Sequence, residues 1–141
     1  MASHRLTREQ IVYSLDRRIP PVLEIDSGDT VVFETFDARS GTIQSDTDLL
    51  DHPHPAGSNP ATGPVHVRHA EPGDGLVVTV EAIDLADAGF LAVKKGQGLL
   101  AHRADTYVTR IVPIVDGIVH FGHLRFPANR SLRPHIGHCS R

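Results

Sequence analysis

A chain of 141 residues with 14 basic and 17 acidic side chains, net charge −3, is long enough to bury a core without staples. Its charges form no run longer than Arg17-Arg18 or Lys94-Lys95, which argues against nucleic acid and anionic membrane as partners, and its single cysteine, Cys139, excludes an internal disulfide framework. The polar opening MASHRLTREQ and the lack of any apolar run of bilayer length point to a soluble, cytoplasmic protein.

Ten prolines and twelve glycines cut the chain into short segments. Residues 1–19 read as an N-terminal extension with a first strand, and residues 20–141 as one β domain. Within it, Val22 to Ile25 precede the turn Asp26-Ser27-Gly28-Asp29, and TVVFET from Thr30 to Thr35 then reads as a strand. Glu71-Pro72-Gly73-Asp74 leads in the same way into Leu76 to Ile83, so SGDTVVFE and PGDGLVVT look like one structural device used twice. Glycine supplies a positive φ, and the aspartate after it bonds back to the backbone.

The polar, proline-bearing stretch Ser45 to Ser58 reads as a surface excursion. Leu85 to Leu91 and Gln97 to His102 can each hold a helical turn or two, but Gly89, Gly96 and Gly98 break any longer helical period. Val115-Asp116-Gly117, between Tyr107–Ile114 and Ile118–Phe121, is a hairpin signal, and Pro113 marks its strand as an edge or bulged one. The fold expected from these segments is all-β, a sandwich or barrel with short helical turns.

Ten histidines invite a metal hypothesis. His52 and His54 sit in a loop and each precedes a proline, while His66 and His69 would point to opposite faces of a straight strand. The pairs His120/His123 and His135/His138 lack the helix that would align them. A Gly-Asp-Thr-Val turn entering a strand also occurs in copper-binding sandwiches. Here, however, Cys139 has only Ser140 and Arg141 after it, and the only methionine is Met1. No Gly-x-Ser-x-Gly elbow or phosphate-cradling glycine loop is present.

Carboxylates and amides remain. Asp37, at the end of the first strong strand and beside Gly41 and Gln44, is placed to orient a polar substrate or bind a cation, or else to close a turn by bonding backbone N–H groups. Asn59 begins an ordinary Asn-Pro turn, and its amide is also suited to hydrogen-bonding another amide.

The succession IPPVLEIDSGDTVVFETFDARSGTIQ, then NPATGPVHVRHAEPGDGLVVTVEAIDL, and finally LRPHIG resembles the amino-terminal half of the acetamidase/formamidase family, from about Pro20 to Gly137. The resemblance implies hydrolysis of a small linear amide, formamide or acetamide, to carboxylate and ammonia by a mainly β homo-oligomer. It implies a divalent metal such as zinc or calcium in some members, without assigning its ligands here. The family's motif positions fall on Asp37, Gly41 and Gln44, on Asn59, Thr62, Gly63 and Pro64, on Glu71, Gly73 and Asp74, and on Pro134, Ile136 and Gly137. On this footing Asp37 is the catalytic candidate, and Gln44, Asn59, Thr62 and Gly63 are substrate-binding candidates.

Two departures accompany the match. Phe121 to Arg133 is looser than the family pattern, and His135 stands where an apolar residue is usual. The family continues for roughly as long again, with a Gly-Asp-Gly-Glu stretch expected to carry catalytic carboxylates, so the chain reads as truncated and is expected to leave strand edges and apolar faces open. The competing expectation is a non-catalytic β module that binds a ligand or assembles with a second polypeptide.

Overall fold

The structure is a computed structural model that describes residues 1–128 in full and 135–138 as backbone. It is mainly β, as the segment pattern predicts. In chain order the strands are β1 (Ser3–Leu6), β2 (Ile11–Val12), β3 (Leu23–Ile25), β4 (Thr30–Phe33), β5 (Ala61–Thr62), β6 (Val65–Val67), β7 (Gly75–Val78), β8 (Ala88–Val93), β9 (Val108–Val115), β10 (Ile118–Phe121), β11 (Leu124–Pro127) and β12 (His135–His138). They form five small sheets: β1–β4, β2–β5, β3–β6, β7–β12, and the four-stranded order β11-β10-β9-β8. Pro134 and Cys139 lie outside the described residues.

The chain divides into two compact units. Among the described residues, the first comprises 1–42, 54–75 and 138, the second 43–53, 76–128 and 135–137.

In the first unit β1 runs parallel to β4, pairing Ser3 with Thr30 and Leu6 with Phe33, and β3 runs parallel to β6, pairing Leu23 with Val65. Leu6 is buried at the end of its strand. The short antiparallel pair β2–β5 sets Ile11 opposite Thr62. Thr30 to Thr35 shortens to β4, with Glu34 N–H still donating to the Leu6 carbonyl at 2.9 Å just beyond it, and Leu76 to Ile83 shortens to β7, which starts at Gly75.

The repeated turn is one device in bonds as well as in sequence. In the first copy Asp29 N–H donates to the Asp26 carbonyl at 3.1 Å, while Asp26 N–H donates to Asp29 Oδ2 at 3.1 Å. In the second, Asp74 N–H donates to the Glu71 carbonyl at 3.0 Å and Glu71 N–H to Asp74 Oδ2 at 2.8 Å. Gly28 and Gly73 hold φ of 92° and 108°, where a β-carbon would strain the backbone. The first copy has an added duty: Asp29 also accepts from Ala2 N–H at 2.6 Å and bonds His4 Nε2 at 3.1 Å, tying the start of β1 to the turn before β4.

The second unit is organised on the antiparallel meander β8 to β11. Asp116 and Gly117 form its two-residue β9–β10 loop with φ of 50° and 74°, the positive-φ pair a tight hairpin requires. Two expectations change here. Leu85 to Leu91 carries no helical turn, since Ala88–Val93 is strand, paired along its length with Val108–Pro113; a helical turn does occur at Ala101–Arg103. Pro113 lies on an inner strand rather than an edge one, and it is tolerated because the β9–β10 register stops at Ile114, so no ladder partner is waiting for an N–H at position 113.

The excursion 43–53 covers one face and edge of this meander. Asp46 Oδ1 accepts from Ile111 N–H at 2.7 Å, its Oδ2 pairs with Arg110, and Thr109 Oγ1 donates to the Asp48 carbonyl at 2.6 Å. The backbone N–H of Ile111, then Arg110, hold the Asp46 carboxyl below the usual aspartate range. Ile43, Thr109 and Val112 are buried in this unit.

The N–H of Ala2, then that of Asp26 and the His4 ring, lower the Asp29 pKa to about 2. A folded pKa below the unfolded one contributes stability that is complete at pH above about 4 and is lost as pH falls through about 2. Asp29→Asn is therefore expected to lower Tm at pH 7 and to flatten the decline of Tm between pH 4 and pH 2. Melting curves of both proteins across that range check this, and parallel declines would refute it.

Candidate functional site

Asp37, Asn59, Thr62 and Gly63 all belong to the first unit, and the structure brings the two segments that carry them together. After β4 the chain runs through Glu34, Thr35 and Phe36 to Asp37. Thr62 Oγ1 donates to the Glu34 carbonyl at 2.7 Å, and Asn59 N–H donates to the Ala38 carbonyl at 3.0 Å. The 59–62 segment thus clasps the 34–38 segment at both ends, with Asp37 between the two bonds. Gly63 N–H fixes the clasp from behind by donating to the Gln10 carbonyl at 2.9 Å, which continues the β2–β5 pairing.

Asp37 itself closes a loop. Its Oδ1 accepts from Arg39 N–H at 2.7 Å and Gly41 N–H at 3.1 Å, and its carbonyl accepts from Ser40 N–H at 3.1 Å. Of the two roles open to it in the sequence, the turn-closing one is realised in these bonds, while the side chain remains exposed at the surface. Ser40 and Asn59 both take left-handed backbone, φ 55° and 60°, a region that non-glycine residues enter at some energetic cost and that clusters where geometry is functional.

Four residues that sequence reasoning did not assign to this site border it: Tyr13, Ser40, His54 and Gly57. Tyr13 Oη and Ser40 Oγ are hydrogen-bonded at 2.9 Å, and the Tyr13 ring stacks on His54 with centroids 6.3 Å apart. His54 Nδ1 is buried and has no hydrogen-bond partner among the described residues. A β-carbon at Gly57, whose φ is 100°, would lie 3.5 Å from the Tyr13 ring, so the loop 54–57 follows that ring closely. The one available sequence signal was the placement of His54 and Gly57 just ahead of Asn59; Tyr13 is too distant in sequence to be tied to them.

Gln44 belongs to the second unit, where its N–H donates to Asp48 Oδ2 at 2.8 Å. Ser45 N–H shares that carboxylate at 2.8 Å, and the two N–H groups hold the Asp48 carboxyl below the usual aspartate range. An open depression of about 520 Å3 in this unit, walled by Leu50, Val93, Leu99 and Leu100, includes none of the candidate catalytic or substrate-binding residues.

The described residues supply no set of three ligands for a divalent metal on their own. Among the described residues no three of His, Cys, Asp and Glu converge, and Asp37 Oδ1 is already engaged by two N–H groups. His52 lies 3.6 Å from Asp51, an exposed neighbouring pair.

The acetamidase/formamidase family matches residues 5–138. The chain belongs to that family. Among solved structures it is similar to a predicted acetamidase/formamidase from Thermoanaerobacter tengcongensis, at 35% identity and TM-score 0.83 over 89% of this chain and 42% of that one. It is similar also to an acetamidase from Bacillus halodurans, at 32% identity and TM-score 0.83 over 87% of this chain and 42% of that one. A third, an acetamidase from Yersinia enterocolitica, has 26% identity and TM-score 0.72 over 89% of this chain and 43% of that one. The chain therefore spans less than half the length of each of these relatives. No curated protein sequence matches it. Among the described residues no helix is long and apolar enough to cross a membrane.

The clasp makes a direct prediction. Thr62→Val keeps the shape and removes the hydroxyl, leaving the Glu34 carbonyl without that donor, and is expected to destabilise the chain by about 1–3 kcal/mol. Thr62→Ser is expected to recover most of the loss. Urea denaturation of the three proteins measures this, and a Thr62→Val midpoint equal to wild type would show that the bond does not brace the segment.

Proposed function

We propose that this chain forms part of a cytoplasmic, homo-oligomeric amidase that hydrolyses a small linear amide, of the size of formamide or acetamide, to the carboxylate and ammonia. The observation that supports this reading most is the clasp, which joins the segment carrying Asp37 to the segment carrying Asn59 in a chain of the acetamidase/formamidase family.

Hydrolysing an amide requires water aimed at the carbonyl carbon, a group to take its proton, and donors for the oxyanion. The Asn59 side chain carries both a donor and an acceptor, which matches the carbonyl and NH2 of a primary amide. Asp37, with Oδ1 committed to the 39–41 loop, is suited to orienting substrate and holding that loop in shape. Thr62 and Gly63 support the position of Asn59, and Gln44 is assigned to substrate binding through the family motif. The principal proton-transfer groups are assigned to residues outside these 141.

A second reading, a non-catalytic module, has its own support: the Thr62 hydroxyl, the Asn59 N–H and one Asp37 oxygen are all spent on architecture. Ammonia release from formamide and acetamide separates the two when the chain is co-expressed with the part of the Thermoanaerobacter protein outside the match. The amidase reading expects turnover that falls at least about 100-fold in kcat/KM for Asn59→Ala and about tenfold or more for Asp37→Asn, with the fold unchanged by circular dichroism. Turnover untouched by both substitutions refutes the assigned roles. Formamide hydrolysis by the 141-residue chain alone at the rate of full-length relatives refutes the placement of the proton-transfer groups.

A further inference from the structure

Tyr13 meets both segments of the candidate site. It follows β2, where Ile11 and Val12 pair with Thr62 and Ala61 of β5 and Gly63 N–H extends the pairing to the Gln10 carbonyl. Carried one step the other way, the same antiparallel register sets Tyr13 opposite Pro60, which has no N–H to offer, so the ladder ends there. Backbone pairing thus delivers Tyr13 to the neighbour of Asn59.

Beyond the ladder the side chain takes over. Its ring stacks on His54, with centroids 6.3 Å and planes 25° apart, and lies 3.5 Å from the place a β-carbon would take at Gly57. Gly57 N–H donates to the His54 carbonyl at 3.0 Å, so the two residues that meet the ring are the ends of one turn, and that turn leads through Ser58 into Asn59. His54 offers the tyrosine a ring face: its Nδ1 is buried and bonds no described residue.

The hydroxyl reaches the other segment. Tyr13 Oη and Ser40 Oγ are 2.9 Å apart, and Ser40 is the middle of the loop that Asp37 folds around its carboxylate, with Arg39 and Gly41 as the N–H donors on either side. The clasp grips the chain at Glu34 and Ala38, so the 39–41 loop extends past its last grip. Ser40 there holds φ of 55°, a conformation that persists in a non-glycine residue only where its surroundings over-determine it. The Tyr13 hydroxyl braces it from outside the loop.

We infer that Tyr13 is a positioning residue for the candidate site: through Ser40 it holds the 39–41 loop that engages Asp37, and through the 54–57 turn it holds the approach to Asn59. Its bearing on amide turnover rests on the amidase reading, whereas the positioning itself does not.

The test is amide NMR on the 141-residue chain, following chemical shifts and hydrogen exchange residue by residue. Tyr13→Phe removes the hydroxyl and keeps the ring. The amides of Arg39, Ser40 and Gly41 are expected to shift and to exchange about two- to tenfold faster, while Gly57 and Asn59 keep their wild-type values. Tyr13→Leu, which also removes the ring, extends the change to Gly57 and Asn59. Ser40→Ala reproduces the effect of Tyr13→Phe on Arg39 and Gly41, and the double variant is no worse than either single one, as a shared bond requires. Amides of β8 and β9, in the second unit, stay unchanged throughout, which separates positioning from general loosening.

Wild-type values at 39–41 in Tyr13→Phe overturn the inference, as do equal acceleration along the whole chain and additive effects of the two substitutions. In the wild-type protein, nuclear Overhauser contacts from the Tyr13 ring to His54 and Gly57 are expected, and their absence overturns the inference even where a variant fails to fold. Turnover by the co-expressed complex is read separately. If Tyr13→Phe changes the loop as expected and leaves kcat/KM at the wild-type value, the positioning stands and the role given to Asp37 in the amidase reading fails.

Discussion

The first unit depends on the clasp between two segments far apart in sequence, made by one hydroxyl and one backbone N–H. Thr62 Oγ1 on the Glu34 carbonyl and Asn59 N–H on the Ala38 carbonyl fix the stretch that follows β4, and Asp37 then folds the 39–41 loop around its own carboxylate. None of these bonds belongs to a ladder, so the stretch keeps these backbone groups satisfied after its last bond to β1, from Glu34 N–H to the Leu6 carbonyl. The clasp removes the freedom that a connecting loop would otherwise have. Arg5 adds a surface tie by bonding the Glu34 carboxylate at 2.8 Å, which joins β1 to the same stretch.

What the sequence made legible was mostly local. The Gly-Asp turns and the Asp116-Gly117 hairpin follow from the φ preferences of glycine and aspartate and need no knowledge of the rest of the chain. Leu85 to Leu91 was misread because a short apolar run holds no period long enough to separate strand from helix, and its strand character comes from pairing with β9. Pro113 was misread for a related reason: the rule that confines proline to edge strands concerns a hydrogen bond, and the ladder happens to end beside it.

The site was legible in part. Asp37 and Asn59 stood out by residue type and motif, but their proximity depends on the Asn59–Ala38 bond, which no spacing rule announces. Tyr13 and Ser40 were invisible, since a hydrogen bond between a tyrosine and a serine this far apart leaves no trace in either neighbourhood. The meander shows a further limit. Alternation along its strands tells which residues share a face, but only solvent exposure tells that Val112 is buried on the same face where Leu91 and Phe126 are exposed.

The pairing pattern also orders events in time. Strands β9, β10 and β11 are joined by two-residue connections and β8 reaches β9 across residues 94–107, whereas β1 meets β4, β2 meets β5 and β3 meets β6 only after longer stretches of chain have been brought round. Closing a long loop spends chain entropy before any contact repays it, so low-separation contacts form sooner. The meander therefore carries the lower loop-closure cost when the whole chain refolds, whereas during synthesis β1 to β6 are all made before β8 begins at Ala88, so the two settings favour different first contacts.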